Sequence, residues 1–261
     1  MQIGAGIQMT PNASRLLQRY GVARAIGPNL VAFEALHMRR RDGHAVGYTS
    51  IPRIEAALAA PWWLVQRHHL HRGLAATARA HGVALRTGAR VEALALHAPR
   101  GRVAASTAAG AEHAFDLLLG ADGVHSAVRR ALFPGVRPRA PTPNAAFRAV
   151  VPYTLLEADE EPAVRAFARR HAMEVWMAER RYVIAYPISA GRDCNLVLSH
   201  HVQEPVEVVE DVDVREVRER YADFDVVVVG ILEKVKLGVQ RWPLLVTGPL
   251  ESWSSPRKVR S

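Results

Sequence analysis

Leu117-Leu118-Leu119-Gly120-Ala121-Asp122-Gly123-Val124-His125-Ser126-Ala127-Val128-Arg129 is the stretch on which the fold turns. Three successive leucines are apolar on both faces, as a central parallel strand requires. Gly120 and Gly123 permit close backbone approach where that strand ends, and His125 to Phe133 continues as a helix. A strand, a tight glycine turn and a helix in succession form the half-unit of an α/β nucleotide-binding layer. In such a turn Asp122 can accept hydrogen bonds from ligand hydroxyls, and Ser126 with the helix start offers donors to an anion. The same residues equally suit a turn in which Asp122 only caps the helix.

Upstream, Pro11-Asn12-Ala13 begins a helical segment with apolar residues at Leu16, Leu17 and Tyr20, and Gly21 ends it. Leu36 to Ser50 alternates around Asp42-Gly43, a hairpin signal. Pro52 and Pro61 bracket a loop or short helix. The spacing of Leu70, Leu74, Ala75 and Ala78 predicts a helix over 68–81 closed by Gly82, with Val83-Ala84-Leu85 as a strand directly after it. Residues 90–98, 102–107 and 113–119 are three further strand candidates, the first two separated by Pro99-Arg100-Gly101.

Downstream, prolines at 134, 138, 141 and 143 mark a domain boundary. Beyond it, residues 145–151, 174–177, 182–187 and 194–201 read as strands of a mostly antiparallel sheet, with Ala190-Gly191-Arg192-Asp193 as a turn. Residues 214–222 suit a helix. Val226 to Val229 is ambiguous, since its β-branched residues favour a strand and its continuation a helix. The predicted class is therefore α/β. A partial Rossmann-like layer with a β-meander (1–35 and 62–140) joins an α+β domain (36–61 and 141–261).

The 261 residues contain 49% hydrophobic side chains and 23% charged ones, which excludes a disordered chain. No apolar run reaches the roughly 18–20 residues of a membrane span, and no secretory signal is visible at the N-terminus. The single Cys194 rules out an internal disulfide and points to a reducing, cytoplasmic setting. The net charge of +9 comes from arginines spread along the chain without long basic blocks, so nucleic-acid binding is not expected. Gly4-x-Gly6 is not a dinucleotide fingerprint, because Met9 occupies the third glycine's place. His68 and His71 share a helix face, but no third ligand can be named, so no metal site is expected.

The segment 120–129 resembles the second flavin motif of the class A flavoprotein monooxygenases, the group that includes salicylate hydroxylase and para-hydroxybenzoate hydroxylase. Gly4 to Ala13, Val65-Gln66-Arg67-His68-His69-Leu70, Phe147-Arg148, Tyr186-Pro187 and 242–259 resemble other family segments in the right order. Where the family carries Asp within its Arg motif, this sequence has His69. The family's N-terminal Gly-x-Gly-x-x-Gly and its C-terminal Gly-Asp loop have no counterpart here, so the expectation is a truncated member.

The resemblance implies hydroxylation of a small aromatic substrate with FAD, NADH or NADPH, and O₂. It assigns Gly6 and Gln8 (backbone), Arg67, Asp122 and Gly123 to FAD, and Arg148 and Tyr186 to the substrate. Because the cofactor carries the redox chemistry, no separate nucleophile or acid–base pair is needed. The competing expectation is a non-catalytic remnant or binding module unable to retain FAD; for the chain as given, weak or no FAD binding and self-association are expected.

Overall fold

The computed structural model describes residues 6–98, 102–136, 143–204, 206, 208–236 and 239–254. Strand β1 (Gly6–Met9) leads into α1 (Pro11–Arg19), whose proline occupies the first turn, where a missing N–H costs nothing. Then come α2 (Val22–Ile26) and β2 (Val31–Ala32). The Asp42-Gly43 turn joins β3 (Ala35–Arg40) to β4 (Ala45–Ser50); Gly43 takes a φ of 86°, and the His44 N–H donates to Asp42. Helix α3 (Ile51–Leu58) carries Pro52 in its first turn, and β5 (Trp63–Gln66) runs directly into α4 (Arg67–Ala80).

Strands β6 (Val91–Ala98), β7 (Arg102–Thr107) and β8 (Glu112–Phe115) make a three-stranded antiparallel meander followed by α5 (Ala127–Leu132). The sheet-rich half contains β9 (Asn144–Pro152), α6 (Tyr153–Glu157), α7 (Pro162–Arg170), β10 (Met173–Ala178), β11 (Arg181–Ile188) and β12 (Asp193–His201). It ends with β13 (Glu210–Val212), α8 (Val214–Arg220), α9 (Val226–Glu233) and β14 (Val239–Pro243).

Contacts group Met1–Ala84 with Pro143–Pro243 and, separately, Leu85–Thr142 with Leu244–Ser261. The sequence-based partition had placed 1–35 and 62–84 with the meander. They group instead with the large sheet, because β5 packs on β11 and Phe33 and Leu64 share a core with Met173, Tyr186 and Ile188. In the larger unit an eight-stranded sheet has the order β13-β14-β9-β12-β11-β10-β3-β4. Its β3–β10 pairing is parallel and its other described pairings are antiparallel. A second, three-stranded sheet runs β1-β5-β2.

Strand periodicity divides the large sheet's faces. Phe147, Ala149 and Val151 of β9, Cys194, Leu196 and Leu198 of β12, and Val183 and Ala185 of β11 belong to the core shared with α6 to α9. Burying each large side chain there, such as Trp176 or Phe167, is worth about 2–3 kcal/mol. The ambiguity at 226–229 resolves to helix: Asp225 caps α9, and Val227, Val228, Ile231 and Leu232 fill that core. Glu174, fully buried, accepts from Arg39 Nε at 2.5 Å and from Arg170 Nε at 3.0 Å.

Two strand expectations fail. Val83-Ala84-Leu85 forms no strand, and Val83 and Leu85 stay exposed. Leu117-Leu118-Leu119 is also not a strand; Leu117 and Leu119 are 60% and 79% exposed. A strand apolar on both faces needs a ladder neighbour and two covered faces. Among the described residues no strand pairs with this stretch, and the meander ends at Phe115. The Pro99-Arg100-Gly101 turn, Gly4, Pro138 and Pro141 lie outside the described residues.

Candidate functional site

The ladders of β9, β12 and β11 decide which side chains share the face opposite the core. Arg148 pairs with Val197, which pairs with Ile184; two residues along, Val150 pairs with Asn195, which pairs with Tyr186. All six therefore lie on one face. Strand spacing puts the Arg148 and Tyr186 Cα atoms about 12 Å apart, diagonally across two ladders. Between them Val150, Val197 and Ile184 form a half-buried apolar floor. The structure thus brings Arg148 and Tyr186 to opposite corners of one patch.

The Arg148 guanidinium carbon lies 5.5 Å from the centre of the Trp242 ring. Its Nε is buried with no hydrogen-bond partner among the described residues. Burial pushes the Tyr186 phenol up to about 12, against the opposing charge of Arg148. At neutral pH that hydroxyl is protonated and can donate.

Strand β1 closes one end of the patch. The Gly6 N–H donates to Asn195 Oδ1 at 2.7 Å. A Cβ at Gly6 would lie 2.6 Å from Tyr186 Cε2 and 2.9 Å from Asn195 Cγ, so only glycine lets the strand approach this closely. Gln8, half-buried on β1, pairs with Leu64 of β5. Gln66, at the start of α4, accepts a hydrogen bond from Ser189 Oγ at 2.7 Å.

Arg67 is exposed as the first residue of α4, in a first turn without acidic residues. A guanidinium at an uncapped helix start attracts negative charge. The neighbouring His68 and His69 rings lie 3.8 Å apart. Among the described residues, no three His, Cys, Asp or Glu side chains group to hold a metal ion.

Asp122 and Gly123 belong to the smaller unit. Asp122 accepts from Ser126 Oγ at 2.5 Å and from the Ala127 and Val128 N–H groups at 2.6 and 3.2 Å. Desolvation raises its carboxyl pKa, but the hydrogen bonds from Ser126, Val128 and Ala127 outweigh it and hold the group below the usual carboxylate range. The helix-start contacts of a cap are formed, and the carboxylate remains exposed. Gly123 takes a φ of 79°, which favours glycine. Both line a cavity of about 590 Å³ walled largely by Leu117, Leu119, Val128, Phe133 and Trp253.

Sequence reasoning missed Asn195, Gln66, Ser189 and Trp242. The one visible signal was a carboxamide in the otherwise apolar run from Cys194 to Leu198.

No family model matches the chain. It is 32% identical over 262 residues to FAD-dependent monooxygenase OpS4 of Beauveria bassiana, a match covering 97% of this chain and 59% of the relative. It is 34% identical over 197 residues to 3-amino-4-hydroxybenzoate 2-monooxygenase of Streptomyces cremeus, covering 73% and 45% respectively. In sequence the chain is similar to FAD-dependent monooxygenases. The crystal structure of CtdE in complex with FAD and a substrate shares the fold of this monooxygenase homologue at TM-score 0.84 and 18% identity, over 98% of this chain and 63% of that one. The homologue thus spans about half to three fifths of the relatives it matches.

Among the residues assigned to FAD, Arg67 fits an anionic group, being exposed and cationic at a helix start. Gly6 fits less directly, because its N–H is already taken by Asn195. Asp122 retains only the lone pairs its cap leaves free. No described helix is long and apolar enough to cross a membrane.

Proposed function

We propose that this chain provides the substrate face and part of the FAD site of a monooxygenase that hydroxylates an aromatic acid, using NADH or NADPH and O₂. One observation carries the reading: an apolar floor of Val150, Val197 and Ile184 with a guanidinium at one corner and a protonated phenol at the other. A planar ring suits the floor, a carboxylate suits Arg148, and a ring oxygen suits the Tyr186 hydroxyl. The relative from Streptomyces cremeus, named for a hydroxybenzoate, supports the same substrate class.

Bound FAD, once reduced, would supply the activated oxygen. The protein's share is positional. Arg67 would hold a phosphate of the cofactor, Arg148 the substrate carboxylate, and Tyr186 would donate its proton to a ring oxygen and fix the ring's rotation. The apolar floor excludes water from beneath the ring. A single buried cysteine suits a cytoplasmic setting. The commitment of the Gly6 N–H and most of the Asp122 carboxylate to internal partners favours weak FAD retention by this chain.

Titrating 3-hydroxybenzoate onto the wild-type chain and onto Arg148→Met, by ligand-observed NMR, tests the reading. Loss of one charge-assisted contact predicts binding about 10–100-fold weaker in the variant. Equal affinity for the two would refute the assignment of Arg148.

A further inference from the structure

Strands β11 and β12 fix the Tyr186 backbone, but a phenol that orients a substrate needs its tip held as well. Asn195 faces Tyr186 directly across the β11–β12 ladder and is fully buried. Its Oδ1 takes the Gly6 N–H, and its Nδ2 is buried without a hydrogen-bond partner among the described residues. A buried carboxamide with a donor left over is costly, and a leucine of similar size would suit the sheet better. Gly6 is where the carboxamide acts: an added Cβ there would stand 2.8 Å from the Tyr186 hydroxyl oxygen, so the strand clasped by Asn195 forms the wall beside that hydroxyl.

We propose that Asn195 is a positioning residue: by clasping the Gly6 amide it seats β1 against Tyr186 and so fixes where the Tyr186 hydroxyl stands on the substrate face. This rests on the reading of that face as an aromatic-acid site. The Ser189–Gln66 hydrogen bond ties the β5 residue that pairs with Gly6, and keeps β1 from being held by Asn195 alone. Loosening Asn195 should therefore free Tyr186 without unfolding the unit.

Tetranitromethane nitration, read peptide by peptide by mass spectrometry, reports on this without cofactor or turnover. Tyr186 is 4% exposed, Tyr182 on the same strand is 39% exposed, and Tyr221 in the helical core is fully buried. Tyr182 is the internal rate reference and Tyr221 the indicator of global unfolding. Asn195→Leu removes the acceptor and should raise the Tyr186:Tyr182 nitration ratio about fivefold, the factor one net hydrogen bond confers on an opening equilibrium. Asn195→Asp keeps an acceptor for the Gly6 N–H and should restore protection. Gly6→Ala, which pushes on Tyr186 from the strand side, should raise the ratio in the same way.

A Tyr186 ratio unchanged in both Asn195→Leu and Gly6→Ala, with Tyr221 still protected, overturns the proposal. If Asn195→Leu exposes Tyr221 as well, Gly6→Ala decides. In parallel, 3-hydroxybenzoate should bind Asn195→Leu about fivefold more weakly. Failure of the wild type to bind it would refute the substrate reading alone, because the nitration ratio decides the role of Asn195 independently.

Discussion

Lowering the pH should destabilise the large unit through one side chain, His200. Its ring is 1% exposed and stacks on Phe147 with centroids 4.3 Å apart. Both ring nitrogens are buried without a hydrogen-bond partner among the described residues. Burial, followed by the charge of Arg220 and more weakly that of Arg241, outweighs the Leu198 backbone, which favours the charged ring, and holds the imidazole down to about 4. In the unfolded chain the same group titrates near 6.5. As pH falls through the interval from about 6.5 to about 4, the unfolded state takes up a proton that the folded state refuses. The stability His200 contributes is therefore complete above the unfolded value, drains away on acidification, and levels off below about 4. A gap of about 2.5 units at about 1.4 kcal/mol each gives a loss of about 3 kcal/mol. Urea unfolding of wild type and His200→Leu across this range separates the term from that of the carboxylates, which titrate alike in both. The wild type should lose about 3 kcal/mol more than the variant on acidification. Parallel profiles, within about 0.5 kcal/mol, would show that the buried imidazole takes up its proton without unfolding and would refute the reasoning.

Two further perturbations probe the frame around the site. Glu174→Gln strips the charge from a carboxylate held by Arg39 and Arg170; breaking a buried ion pair costs about 3–5 kcal/mol. The lower end applies, because those two side chains are 20% and 39% exposed and can turn to water. Calorimetry should show Tm lowered by about 6–12 °C, and a shift under about 2 °C would contradict the network's role. Asp122→Ala removes the acceptor for two N–H groups at the start of α5 and should cost about 1 kcal/mol locally. Amide exchange at Ala127 and Val128 should quicken about fivefold, whereas unchanged protection would mean that the cap is not what orders that turn.

Local chemistry in the sequence located most elements, and it failed where partners decide. The Asp42-Gly43 hairpin, the proline-led α1 and the glycine-closed α4 each depend on a few adjacent residues, so their signals are readable in place. Leu117-Leu118-Leu119 has a strand's composition but no described ladder neighbour, and composition alone cannot supply one. Val226 to Val229 has a strand's residues but folds as helix, because Asp225 caps it and the sheet's core face needs four apolar residues at helical spacing. Arg148 and Tyr186 were named from motif resemblance. Their common face follows from β-ladder register, which a single sequence does not disclose. Asn195 was missed because its role exists only in the approach of β1, nearly two hundred residues away in sequence.

That register also explains why the candidate site stays in place without a dedicated scaffold. Along β9, Phe147, Ala149 and Val151 alternate with Arg148 and Val150; along β12, Cys194 and Leu196 flank Asn195. A slip of one residue would turn the Arg148 guanidinium into the core around Trp176 and Phe167 and bring Phe147 out of it. Burying that unpaired charge alone would cost several kcal/mol, before the loss of about 2–3 kcal/mol for each exposed core side chain. The helical core under the sheet therefore holds the polar residues on the opposite face in place. The sequence can vary at Arg148, Asn195 and Tyr186, and with them the ligand, while Phe147, Leu196 and Val183 keep the ladder in register.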